Sequence, residues 1–304
     1  MNFFKYYILF VVYFLILFIA YYLSPLGTDY YELNQLFNCI NNPDYCPLEI
    51  NLNNYSLPIR TLFKTSYVRF TLTGVQLFLI TFAFCQLIYL SKKESLNNLF
   101  VIIVFFSAFL KDYYLNAMEQ ALALSFFLFS LNIKKHKNIV LTIASLTHIS
   151  SILYFFKKIT FKKIYYLIYL VIFINLSLFL ISDKTLFSNF ILLFESFEIS
   201  KINYYILNKS ISEGQLPLVI KSIFFLVAYN SKYIKNSPYK FVYLLSFLFY
   251  SLLLNIDILS NRFLSIGKIF EILAFSSFLN KPNKSYKWLI SLIYLLVMLY
   301  INLL

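Results

Sequence analysis

The sequence is poor in the residues that soluble enzymes use to hold nucleotides and metals. Its four glycines, Gly27, Gly74, Gly214 and Gly267, are scattered over 304 residues. No Walker loop or dinucleotide fingerprint can be assembled from them, because both need glycines within about ten residues so that backbone can approach phosphate. A soluble kinase, a nucleotide-driven pump and a dehydrogenase are therefore excluded. Two histidines and three cysteines show neither metal-ligand spacing nor a Ser-His-Asp order, so no metal and no cofactor is expected. Charge is scarce as well, at 13% of residues. What fills the chain is apolar: 61% hydrophobic residues, 21% aromatic ones and a mean hydropathy of +0.74.

So much apolar surface cannot all face water, and a large part of it must face lipid. A bilayer core of about 30 Å takes about 20 apolar residues of helix. Nine stretches qualify as spans, running roughly Lys5 to Leu23, Val68 to Leu90, Asn97 to Leu110, Tyr113 to Ile133, Ile164 to Ser182, Leu216 to Ser231, Phe241 to Asp257, Phe263 to Asn280 and Trp288 to Leu304. The third is short and is expected to sit upright or to thin the bilayer. All seven prolines fall between these stretches or at the start of one, where a missing N–H costs little. The first stretch begins like a signal peptide but has a long apolar run and no small-residue cleavage site, so it reads as a retained anchor. The expected fold class is all-α, a single polytopic membrane domain over residues 1–304.

A tenth apolar stretch, Asn138 to Phe156, has basic runs on both sides. If it crossed, the lysines after it and every later basic loop would face outward, against the rule that cytoplasmic loops hold the positive charge. A re-entrant helical hairpin removes the conflict. With the N-terminus cytoplasmic, Lys5, Lys92, Lys93, Lys134, Lys135, Lys137, Lys157, Lys158, Lys162, Lys163, Lys232, Lys235, Lys240, Lys281, Lys284 and Lys287 all lie inside, sixteen of the 26 basic residues. Glu94 is the one acid among them. The net charge of +13 is thus mostly an orientation label, and no nucleic-acid partner is expected. Two long polar segments, at about 24–67 and 183–215, fall outside, and loops of this length usually carry function. The second alternates apolar and polar residues through Phe187 to Tyr205 and reads as an amphipathic helix on the outer interface.

Within or near the membrane each charge needs an explanation, because it costs about 2.5 to 3.5 kcal/mol on insertion scales. Arg262 follows Asn261 at the outer end of the penultimate span, where a planar guanidinium suits a lipid diphosphate or simply snorkels to the interface. Lys268 and Glu271, at i and i+3, can pair on one helix face. In the fourth span Asn116, Glu119 and Gln120 occupy adjoining positions; Glu119 suits a general base, and polar bonding between helices is the plainer role. His148 lies near the midpoint of the re-entrant stretch, where it can cap free backbone groups or act as a base. Asp29, Tyr30, Tyr31 and Glu32 combine acid and aromatic surface in a way that suits sugar stacking. Cys39 and Cys46, with six residues between them in the outer segment, suit a disulfide better than a metal site; Cys85 lies in a span and reads as core.

Taken together, the Asp29-Tyr30-Tyr31 motif, the Asn116-x-x-Glu119-Gln120-x-x-Ala123 stretch, a lysine turn followed by His148-x-Ser150, and Asn261-Arg262 resemble the Wzy and EpsG-like oligosaccharide repeat-unit polymerases of bacterial surface polysaccharides. The resemblance implies a GT-C-like membrane glycosyltransferase in the bacterial inner membrane, metal-independent and inverting. Its substrate would be an undecaprenyl-diphosphate-linked oligosaccharide, polymerised on the periplasmic side into O-antigen or capsular polysaccharide, with membrane lipid and a chain-length regulator protein as partners. Glu119, His148 and Arg262 would be catalytic, and Asp29, Tyr30, Arg60, Arg69, Asn116, Gln120 and Asn261 would bind substrate. The family usually has a basic residue beside the Gln, where this chain has Glu119, so anion binding there passes to Arg60, Arg69 or Arg262. The rival class is a flippase or transporter for a lipid-linked sugar or small solute, with Lys268, Glu271 and His148 as a relay.

Overall fold

The computed structural model describes residues 2–26, 30–42, 56–66, 71–148, 153, 162–182, 215–254, 257–279 and 285–303. Asp29, Cys46, Arg69, the returning limb of the expected hairpin and the 187–205 segment lie outside the described residues. Those that are described form thirteen α-helices and no strand. They divide into two compact units, residues 1–152 with 276–304, and residues 153–275.

In the first unit, α1 (Asn2–Leu23) leads through a 3-10 turn (Ser24–Leu26) to α2 (Tyr30–Asn41) and α3 (Leu57–Ser66). α4 (Leu72–Lys93) opens on Thr71, whose hydroxyl accepts from the Gly74 N–H at 3.2 Å, and α5 (Asn98–Phe109) opens on Asn97 in the same way. Leu72, Val75, Gln76, Leu79, Ile80, Ala83, Phe84 and Leu87 make the buried stripe of α4, at helical spacing. Cys85 projects from the opposite side and is exposed, so it is not a core residue. α1 lies along α4 and turns Phe10, Phe14, Phe18 and Tyr22 outward, as a lipid-facing helix does. Four helices are long and apolar enough to cross a membrane among the described residues: Tyr6–Leu23, Leu72–Lys93, Asn98–Asn116 and Ile164–Ile181. With the shorter apolar helices they make this a multi-pass membrane protein.

The expected boundary between the third and fourth spans is displaced. α5 runs on without a break into a π-helical segment, Leu110–Asn116, so the third span is 19 residues long and needs no thinning of the bilayer. The wide turn closes with the Ala117 N–H donating to the Asp112 carbonyl at 3.1 Å, and α6 (Met118–Asn132) starts at once. At the far end of α6, Lys93 donates to the Leu131 carbonyl at 2.7 Å, a cation meeting the negative end of a helix. Close by, burial and then the charge of Lys93 hold the Lys137 amine below the usual lysine range.

α7 (Lys137–Thr147) has 11 residues, about 16 Å of rise, or half of a bilayer core. It ends at His148, whose extended backbone stops the helix and whose N–H donates to the Ala144 carbonyl at 2.9 Å. α7 packs against α6 and α3. α13 (Ser285–Leu303) packs on α5, and Asn97 N–H is held by the Ser276 hydroxyl at 3.0 Å.

The second unit contains α8 (Lys162–Ser182), α9 (Gln215–Tyr229), the short α10 (Lys232–Lys235), α11 (Lys240–Leu252) and most of α12 (Asp257–Leu279). Aromatic stacking joins α9 to α11, with Phe225 lying 3.9 Å from Phe247 and 5.1 Å from Tyr243, centre to centre. α11 and α12 approach so closely at Gly267 that an added Cβ would meet the Ser246 hydroxyl and lie 3.2 Å from its Cβ. Glu271 accepts a hydrogen bond from the Tyr243 hydroxyl at 3.1 Å, which supplies this buried carboxylate with a partner on α11.

Candidate functional site

The site in the first unit is assembled where α3 meets the start of α6. The π-segment delivers Asn116 to the turn, and the first turn of α6 carries Glu119 and Gln120. A carboxylate in that position is favoured by the positive end of the helix. Glu119 Oε1 accepts a 2.6 Å hydrogen bond from the backbone N–H of Ser56, immediately before α3. This satisfies one of the N–H groups that a helix start leaves open and fixes the carboxylate. Arg60 is one turn along α3, its N–H donating to the Ser56 carbonyl at 3.2 Å. Ile59 and Phe63 anchor α3 from below, and Phe37 of α2 meets Phe63 edge-on at 5.2 Å.

Four side-chain atoms here are fully buried without a hydrogen-bond partner among the described residues: Ser56 Oγ, Arg60 Nε, Asn116 Oδ1 and Gln120 Nε2. Gln120 as a whole is 5% exposed. Each such atom costs about 1 to 3 kcal/mol of unmet desolvation, so folding alone gives no reason to keep them together. The set comprises two nitrogen donors, one amide acceptor and one hydroxyl that does both, with a carboxylate alongside. A polyhydroxylated ligand matches that mixture, and an apolar one does not.

Tyr30 is linked toward this cluster by a chain of hydrogen bonds. Its hydroxyl is 3.3 Å from Thr73 Oγ1, Thr73 is 3.1 Å from Ser24 Oγ, Ser24 donates to Gln76 Oε1, and Gln76 Nε2 donates to the Leu115 carbonyl at 3.0 Å, next to Asn116. The aromatic ring left open at this end is Tyr31, 73% exposed, with Glu32 also exposed. α7 lies against both α3 and α6, so the helix that ends at His148 touches both elements of the cluster.

Asn261 and Arg262 belong to the second unit. Lys221 of α9 donates to Asn261 Oδ1 at 3.1 Å and stands 5.3 Å from the ring centre of Tyr250. Arg262 is half-buried, and its carbonyl accepts from Ser265 Oγ at 2.7 Å. Sequence reasoning did not single out Lys221. The signal was present: one lysine in a helix otherwise apolar but for Ser222 from Pro217 to Tyr229.

The chain as a whole has a counterpart among known families. The profile of the EpsG family matches residues 5–304. The chain belongs to the EpsG family. EpsG and Wzy-like proteins are polymerase-like membrane proteins, and the match takes in both units. No curated protein and no solved structure matches the chain. Membership of the EpsG family gives the coarse activity, a polysaccharide polymerase of the glycosyltransferase kind in a multi-pass membrane protein.

Proposed function

We propose that this EpsG-family protein joins undecaprenyl-diphosphate-linked oligosaccharide repeat units into O-antigen or capsular polysaccharide on the outer side of the bacterial inner membrane. The observation that carries the reading is Glu119, held through Oε1 by the Ser56 N–H amid four buried polar atoms that lack partners among the described residues. Glu119 takes the proton from an acceptor hydroxyl through its other oxygen as that hydroxyl attacks the anomeric carbon of the donor. The C–O bond to the diphosphate breaks as the new glycosidic bond forms, and a single displacement inverts the anomeric centre. Arg60, Gln120 and Asn116 orient the sugar. His148 supports the wall formed by α7.

Two features support the outer side. Cys39 on α2 is buried and disulfide-bonded, a state that persists in oxidising compartments. The lysines predicted inside include Lys93 at the opposite end of α6 from Glu119. The transporter reading used Lys268, Glu271 and His148 as a relay, yet Glu271 is bonded to Tyr243 and His148 terminates α7. Reconstitution tests the proposal: purified protein in liposomes with lipid-linked repeat units is expected to yield longer lipid-linked glycans and free undecaprenyl diphosphate. Transfer of intact single units between leaflets with no lengthening would overturn it.

A further inference from the structure

At the end of α6 opposite Glu119, two separate stretches of the chain bring lysines together. Lys92 and Lys93 close α4, and Lys134 and Lys135 occupy the turn between α6 and α7; all four are exposed. The two stretches are tied to each other. Lys93 donates to the Leu131 carbonyl at 2.7 Å, and Asn132 Nδ2 donates to the Gln86 carbonyl at 3.0 Å. His136 then adopts the left-handed backbone, φ 59°, from which α7 starts at once. The rule that inner loops are basic accounts for the side on which these lysines lie. It does not account for their convergence, which costs mutual repulsion. Glu94 is the one acid in either stretch.

The surface next to these lysines suits lipid. The Lys92 ammonium lies 5.4 Å from the ring centre of Tyr6, and Tyr6, Tyr7 and Tyr89 are each more than half exposed, as aromatic rings are at headgroup level. Just past the basic turn, α7 leaves Ile139 and Leu146 58% and 68% exposed, two turns apart on one face. An apolar strip therefore begins where the lysines end.

We propose that the end of α4 and the α6–α7 turn form a binding site for an anionic phospholipid, with the phosphate headgroup held by Lys92, Lys134 and Lys135 and an acyl chain laid along Ile139 and Leu146. Basic clusters of this kind beside a membrane helix attract anionic headgroups, and a headgroup that bridges both stretches offsets the repulsion between them. A soluble anion or an acidic protein would use the lysines and leave the apolar strip unused.

Full-length protein in detergent, titrated with phosphatidic acid and with phosphatidylcholine, tests the site by native mass spectrometry and by thermal midpoint. Wild type is expected to hold phosphatidic acid in preference to phosphatidylcholine and to gain thermal midpoint from it. Lys92→Gln with Lys134→Gln removes one lysine from each stretch. This pair is expected to weaken the binding by about 30-fold, the combined effect of two lysines at a charged headgroup. Lys232→Gln with Lys235→Gln removes the same charge from α10, where both lysines are exposed, and is expected to bind as wild type does. Equal weakening in the two pairs would reduce the effect to net charge and overturn the site, and so would wild-type affinity in the Lys92 and Lys134 pair. Glycerol 3-phosphate, a headgroup without chains, is expected to leave the lipid in place. Displacement of the lipid at comparable concentration would mark a site for free phosphate and overturn the lipid assignment.

Discussion

Glu119 Oε1 accepts a 2.6 Å hydrogen bond from the backbone N–H of Ser56, 63 residues earlier in the chain. The contact ties α6 to the start of α3 and gives a membrane-helix carboxylate a fixed orientation. It also separates two roles that a single substitution usually merges, since Glu119→Gln keeps an oxygen for Ser56 and abolishes the base. Activity is expected to fall by about 10² to 10⁴-fold in Glu119→Gln with little change in thermal midpoint in detergent. Glu119→Ala is expected to lose both activity and stability. Comparable activity in Glu119→Gln and wild type would remove the base from the mechanism.

Gln120 makes the opposite case, a buried amide whose Nε2 has no partner among the described residues. Replacing it by leucine removes an unmet donor at similar volume. Gln120→Leu is therefore expected to be as stable as wild type or more stable by about 1 kcal/mol, while losing glycan lengthening. A clear drop in thermal midpoint would show that the amide serves packing.

Gly267 and Ser246 set the distance between α11 and α12. A Cβ at Gly267 meets the Ser246 hydroxyl, so Gly267→Ala is expected to cost about 1 to 3 kcal/mol by thermal unfolding. Adding Ser246→Ala removes the nearest atom and is expected to restore part of the loss. If the double variant were no better than the single one, the approach would not be the cause.

Cys39 is disulfide-bonded and Cys85 is free. Denatured, unreduced protein is expected to take up one thiol label per chain, and protein from spheroplasts treated with an impermeant phosphine three. Three labels without reduction would place α2 in a reducing compartment. In the Cys39→Ser protein α2 and α3 are expected to loosen, lowering stability by about 2 to 4 kcal/mol.

Spans are easy to read because about 20 apolar residues in a row have few other uses. Each of the nine expected spans corresponds to a helix in the structure, although only four stretches are both long and apolar enough to cross among the described residues. The boundary at Leu110 was misplaced for a physical reason. Lys111 and Asp112 look like a break, but both are exposed on the last turn of the same helix, and the chain reverses at Ala117. α2 and α3 were hidden in a polar segment, although Leu33, Leu36 and Phe37, and then Ile59 and Phe63, already repeat at helical spacing. Of the candidate residues, Asn116, Glu119 and Gln120 were visible as close neighbours in the sequence, although the turn at Ala117 puts Asn116 on the π-segment and the other two on α6. Their meeting with Ser56 and Arg60 was not, because it depends on where α3 packs. Tyr30, read with Tyr31 as a surface for sugar, has its hydroxyl 3.3 Å from Thr73 Oγ1, and Tyr31 beside it is exposed.

The central claim is that Glu119 acts in glycan polymerisation on the outer side of the membrane. The most direct test is the lipid-linked glycan profile of a strain in which Glu119→Gln replaces the native protein. The account predicts single repeat units accumulating on the outer leaflet, with full-length polymer restored by the wild-type chain. Polymer of normal length in the variant, or single units trapped on the cytoplasmic leaflet, would contradict it.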